Sequence, residues 1–239
     1  MGLSIRVYIE PFNRSETKQL LTHQSAKLAK TQTDSVQSVI LYLDPLYSVD
    51  MCKGASATCR KTCLIHSGRM RMDNAKQARK NRTEYLHQNP ELFDIQLKGE
   101  LLQAYAKAKR QGKILDVRLN GTSDLDWSRI YDAFPYIQFH EYTKRVDLAL
   151  KLKQFKNVTV TFSRHENHTD SDIMTTLNMG VNVAVVFAGD VPKMFKGIPV
   201  IDGDAHDRRF EDEKGHIVGL KVKGTNDIKS IAIKRGFAI

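Results

Sequence analysis

No apolar run in the chain approaches the roughly 20 residues that span a bilayer, so no membrane partner is expected. Residues 1–11 lack both a basic stretch and a long apolar core, which argues against a secretion signal and for a cytoplasmic location. Cysteine is scarce: three in 239 residues, an odd number that excludes a disulfide framework. No G-x-G-x-x-G follows the first strand-like segment, which argues against a dinucleotide fold. Hydrophobic residues at 41% with 27% charged exclude disorder, collagen and fibre. The length fits one large domain, or two small ones, with a core that needs no disulfide to hold it.

What is present is concentrated. The net charge is +10, and residues 53–82 hold nine Lys and Arg against one acid, Asp73. Such a window suits a polyanion, DNA or RNA, whose phosphates release counterions on binding. Arg69, Arg71, Lys76, Arg79, Lys80 and Arg82 are the candidate phosphate contacts, on a basic helix expected over 67–88. A solvated surface helix is the plainer reading, since these residues cover much of a helix circumference. Tyr85 and His87 offer stacking for single strands.

Short apolar runs at 38–43, 114–119, 137–142, 158–162, 182–187 and 198–201 alternate with helical stretches, including two helices parted at Asn89-Pro90. Repeated βα units imply parallel strands joined by right-handed crossovers. The expected fold is α/β: a TIM-like, incomplete (β/α) barrel of about six parallel strands, with an open doubly wound sheet second. Residues 1–35 read as an N-terminal extension and 36–239 as one domain. The strand-like tail at 216–222 reads as an edge or cap.

In such folds the site lies at the carboxyl ends of the strands. The segments following the strands are all polar. Asp124, Lys144, Ser163 and His165 are the candidate catalytic residues, with Arg145 on the same rim. Structural readings stand beside these: Asn-Gly and Asp-Gly make ordinary turns, and Ser163 or Asp170 can cap a helix. His165, His168, Asp202 and Asp204 together suggest a weaker idea, a metal-dependent nuclease.

Cys52, Cys59 and Cys63 fall within 12 residues after the first strand. Three thiolates on one loop suit a soft metal. Either they hold a 4Fe–4S cluster with the fourth iron open or otherwise ligated, or His66 completes C-x6-C-x3-C-x2-H around a structural Zn2+.

The cysteine loop in a β/α fold resembles the architecture of radical S-adenosylmethionine (SAM) enzymes, although their usual spacing is C-x3-C-x2-C. That resemblance implies SAM as a cofactor, contacted by Asn120, Thr122, Ser123 and Asp124 with Arg145 nearby. A larger share of the chain, about 38–207, resembles the phage- and plasmid-borne gene product 88 family. CKGASATCRKTC (52–63), ARKN (78–81), VRLNGTSDLDW (117–127), FHEYTKR (139–145) and VTFSRHEN (160–167) carry the likeness. It implies a mobile-element origin, and the cytoplasm of an infected bacterium as the location. Three functions follow as expectations: an iron–sulfur protein acting on or binding nucleic acid, a radical SAM-like enzyme, or a zinc-stabilised nucleic-acid binding module without chemistry.

Overall fold

A computed structural model describes residues 19–239. One sheet contains β1 (Leu21–Thr22), β2 (Val36–Leu41), β3 (Ile114–Arg118), β4 (Gln138–Thr143), β5 (Val158–Ser163), β6 (Asn182–Phe187), β7 (Met194–Phe195), β8 (Ile198–Asp202) and β9 (Ile217–Lys221). The order across it is β1-β2-β3-β4-β5-β6-β9-β8-β7. Strands from β2 to β8 run parallel. The two end strands are antiparallel to their neighbours.

All six strands expected from the sequence are present, but the barrel is not. The sheet is open, ending in β1 on one side and β7 on the other. The tail segment is no edge: β9 lies inside the sheet between β6 and β8, making a seventh parallel strand. Residues 19–35 of the expected extension are built into the same sheet, through β1 and the helix α1 (Ala26–Thr31). Residues 1–18 lie outside the described residues.

The remaining helices are α2 (Ala57–Lys61), α3 (Asp73–Gln88), α4 (Pro90–Arg110), α5 (Ser128–Ala133), α6 (Val146–Leu152), α7 (Asp170–Asn178) and α8 (Asn226–Lys234). Pro90 opens α4 at its first turn, where its missing N–H costs nothing. Thr169 and Asp172 form a reciprocal capping box on α7. Because β2 to β6 are laid down in sequence order, right-handed crossovers put their helices on one face. The core lies there. The inner stripe of α4 (Phe93, Leu97, Leu101, Ala104 and Ala108) buries against Leu115, Val117, Phe139 and Phe162. Glu100 on α4 accepts the backbone N–H groups of Leu20 and Leu21, at 2.8–3.0 Å, and so ties the β1 edge to the helix layer.

Strand side chains alternate between faces, so Ser38, Asp116, Arg118, His140, Tyr142 and Thr161 point away from that core. They lie under the 203–215 segment, whose short 3-10 turn Arg209–Glu211 packs on β4 and β5. Truncating the helix-side core by Leu101→Ala is expected to cost about 2–5 kcal/mol, read from the urea midpoint at unchanged m-value.

Candidate functional site

The cysteine loop occupies the carboxyl edge of β2. Cys52 ends a 3-10 turn, Cys59 lies in α2, and Cys63 follows that helix. All three are free thiols, Cys59 buried and the others half-buried. The loop is held by its own surroundings. Ser56 caps α2 by accepting the Cys59 N–H at 2.9 Å. Arg60 donates to the carbonyls of Cys52 and Val49, and the Asp124 N–H donates to Met51 at 2.8 Å. At Gly54 a Cβ would meet Asp124 Oδ2 and Lys144 Cβ at 2.9 Å, and Arg145 Cγ at 3.0 Å. Glycine is what lets the loop lie against the β3 and β4 ends.

Lys144, half-buried with its ammonium turned inward, donates to Ser163 Oγ at 3.1 Å. Burial lowers its pKa, but the facing Cys59, Cys52, Asp124 and Cys63 outweigh that and raise it. It therefore stays charged. Burial pushes the Cys52 thiol up to about 12 against the opposing pull of Lys144, and burial also raises Cys63. Burial likewise raises Asp124. Its Oδ2 accepts the Lys144 N–H at 3.1 Å, while the buried Oδ1 has no hydrogen-bond partner among the described residues. Asp124, Lys144 and Ser163 thus lie at the same end of the sheet as the cysteine loop. Among the described residues no three His, Cys, Asp or Glu side chains stand close enough to hold a single metal ion.

His165 joins them in a different role. Its ring stacks on His168, with centroids 3.6 Å apart. Each Nδ1 accepts a backbone N–H, from Asn167 at 3.2 Å and His165 at 3.1 Å respectively. The proton of each neutral ring therefore sits on Nε2, leaving no lone pair for a metal. Burial, helped by His168 and Lys144, lowers His165 to about 4, and burial also lowers His168. His165 is bonded to the Gly54 backbone and His168 to that of Lys144, so the pair fastens the cysteine loop to the β4 end. The nuclease grouping fails on distance as well. Asp202 ends β8 and Asp204 follows it, three strand spacings or about 14 Å from β5, and Asp204 is taken by Lys221 and Lys223.

Of the expected cofactor contacts, Asn120 and Ser123 make hydrogen bonds within the β3 loop, and Thr122 ties that loop to the segment after β2. Asn120 donates to Leu125 and accepts from Ser123, Leu125 and Trp127. Thr122 donates to the Leu43 carbonyl. Arg145 pairs with Asp147 at 2.7 Å, at the start of α6. The basic segment also divides. Arg69, Arg71, Lys76 and Lys80 are exposed, whereas Arg79 is buried and donates to the Met70 carbonyl, and Arg82 donates to the Gln19 carbonyl. Arg79 and Arg82 are thus removed from the phosphate surface by packing. Tyr85 is buried against Phe93, and the exposed ring pair is Tyr47 with His87, at 4.9 Å.

A family model described as Gene product 88 matches residues 13–239. The chain belongs to that family. No curated protein and no solved structure matches it. In this gene product 88 protein, the segments 52–63, 117–127, 139–145 and 160–167 meet at the carboxyl edge of the sheet. No helix among the described residues is long and apolar enough to cross a membrane.

Sequence reasoning missed the polar face beneath that edge. His140 Nδ1 lies 2.7 Å from Asp116 Oδ1, and its Nε2 faces Asp207 Oδ2 at 3.7 Å. Arg118 reaches the same Asp207 oxygen at 3.2 Å and lies over the Tyr142 ring at 4.5 Å. Ser38 donates to Asp116. Charged residues at every second position of apolar strands were the available signal, in Asp116-Val117-Arg118 and His140-Glu141-Tyr142. Burial lowers the His140 pKa, but Asp116 and then Asp207 overcome it and hold the ring at about 9. Glu141 points the opposite way and accepts the Leu119 and Asn120 N–H groups and the Tyr131 hydroxyl, which sets the turn of the β3 loop.

Two outcomes follow. Gly54→Ala is expected to destabilise by about 1–3 kcal/mol through overpacking, with the loss read by urea titration. A folded His140 pKa above the unfolded value of about 6.5 adds stability below pH 6.5 that is lost as pH rises toward 9. Stability measured between about pH 6.5 and 7.5 should therefore fall, below the range near about 8.5 where unfolded cysteines ionise, and His140→Gln should flatten that slope.

Proposed function

We propose that this protein carries a cysteine-ligated metal centre, a 4Fe–4S cluster in the first instance, and binds or acts on nucleic acid beside it. The observation that supports this most is the presence of three thiols on one short loop, with the Lys144 ammonium among their charged neighbours, at the carboxyl edge of a parallel sheet. Thiolates are soft donors suited to iron–sulfur clusters and to zinc. A fixed ammonium offsets their negative charge. The donor chemistry fits, with Cys52, Cys59 and Cys63 as ligands. When bound, a cluster supplies one-electron redox capacity or an open iron for a further ligand. Lys144 and Ser163 then orient what binds beside it. A reducing cytoplasm suits thiolate ligation, that of a bacterial host if the mobile-element likeness carries over. Zinc with His66 as fourth ligand is the alternative, in a binding module without chemistry.

Because Cys52 and Cys63 are held protonated by burial, metal uptake releases protons and is expected to strengthen as pH rises. Anaerobic purification with iron, sulfide and zinc analysis tests the reading. About four irons and matching sulfide per chain are expected, lost in Cys59→Ala. One zinc and no colour would move the conclusion to the alternative, and the absence of both metals would remove it.

The nucleic-acid part rests on exposed Arg69, Arg71, Lys76 and Lys80 beside the loop, and on the Tyr47–His87 ring pair at the far end of α3. Binding to DNA or RNA is expected to weaken steeply with salt. Replacing Arg69 or Arg71 by Ala should reduce the slope of log affinity against log salt by about 1 each. Salt-independent binding would sink this half of the reading.

The in-sequence parallel strands, with the cysteine loop after the first of them, favour a radical SAM-like enzyme as the second reading. Release of 5′-deoxyadenosine from SAM under reducing conditions separates it from a cluster protein without that activity.

A further inference from the structure

The outer face of α4 is built for a partner. Leu92, Ile95, Gly99, Leu102 and Ala106 recur at alternating spacings of three and four, the seam pattern of paired helices. This seam lies opposite the inner stripe that feeds the core. Leu92 is 41%, Ile95 67% and Leu102 50% exposed. Gly99 lies in the middle of a 21-residue helix, where glycine costs about 1 kcal/mol relative to alanine. Nothing lies within 4 Å of the position its Cβ would take, so the chain's own packing does not require a glycine there. A missing side chain at the centre of an apolar seam lets a second helix approach closely.

The charges indicate which helix. The first turn of α4 carries Glu91, Asp94 being already paired with Lys98 and Arg129, and its last turn carries Lys107, Lys109 and Arg110. Glu91, Lys107, Lys109 and Arg110 make no ion pair among the described residues. The same asymmetry complements the helix dipole, but it also makes the face complementary to itself. An antiparallel copy centred on Gly99 sets each acidic end beside the other's basic end, the arrangement of an isologous twofold interface. Leu92 then lies near the partner helix's Ala106, and Ile95 near its Leu102.

We propose that two copies of this chain pair through their α4 helices, antiparallel about Gly99. A face about 31 Å long and one helix wide lies at the small end of specific interfaces. The dimer is therefore expected to dissociate in the micromolar range.

Sedimentation equilibrium of the full chain from about 1 to 200 μM covers that range. The expected result is a monomer–dimer equilibrium weakened at least tenfold by Gly99→Leu and by Ile95→Glu, with thermal unfolding of each monomer not lowered. Gly99→Leu fills open space in the monomer, so a loss of pairing there cannot come from misfolding. Glu91→Lys should weaken pairing further at low salt. A monomer at every concentration overturns the proposal, as does a dimer indifferent to both seam variants. Hydrogen exchange identifies the competing occupant: concentration-independent protection of α4 in a monomer would overturn the pairing and assign the seam to another segment of the same chain.

Discussion

Asp207 is the group on which the second face of the sheet depends. β3 and β4 place Arg118 and His140 on the side away from the apolar core, where two buried cations would be prohibitively costly alone. Asp116 answers one of them from within the sheet, but the other carboxylate must come from outside. It arrives on the 203–215 segment, and that segment can lie across the face only because the chain leaves β6, forms the β7–β8 hairpin at the edge, and returns as β9 between β6 and β8. The charges on this face balance, Arg209 pairing with Asp212 beside them at 2.8 Å. A charge-balanced, polar interior of this kind supports the strands from below.

The carboxyl edge is assembled differently. Its groups come from four successive strand ends, and the links between them are short and specific: the Asp124 and Met51 backbones, the Lys144 backbone on Asp124, Lys144 on Ser163, and the stacked histidines on Gly54 and Lys144. Neutral His165 and His168 do positioning work that charged rings could not do so close to an ammonium. The result is a cation, a loop of three cysteines and a half-satisfied carboxylate along one edge of the sheet, with burial raising the Cys52 and Cys63 thiols. Exposed basic residues lie just beyond, on the turn that leads into α3.

Much of this was legible in the residue order. Apolar runs bounded by turns marked the parallel strands, and Asn89-Pro90 marked the break between α3 and α4. The habit of β/α folds of placing polar loops at their carboxyl ends located Asp124, Lys144 and Ser163 on the edge that also carries the cysteine loop. What misled was local chemistry with more than one use. Asn120, Thr122 and Ser123 read as ligand contacts from sequence alone, and their hydrogen bonds to the β3 loop and to Leu43 are visible only once the chain is folded. Arg79 and Arg82 read as surface charge, yet one turn of α3 rotates them inward, onto the backbone of Met70 and Gln19.

The sequence by itself determined what can be decided within a dozen residues: which segments are strands or helices, where they end, and that three soft donors share a loop. Only the tertiary structure decided the open edge, the insertion of β9, the buried pairing of His140 and Arg118 with Asp207, and the bare outer seam of α4. Each of those depends on contacts between segments tens to a hundred residues apart. Such contacts are chosen by the competition among strand pairings and buried charges over the whole chain, and no local pattern records their outcome.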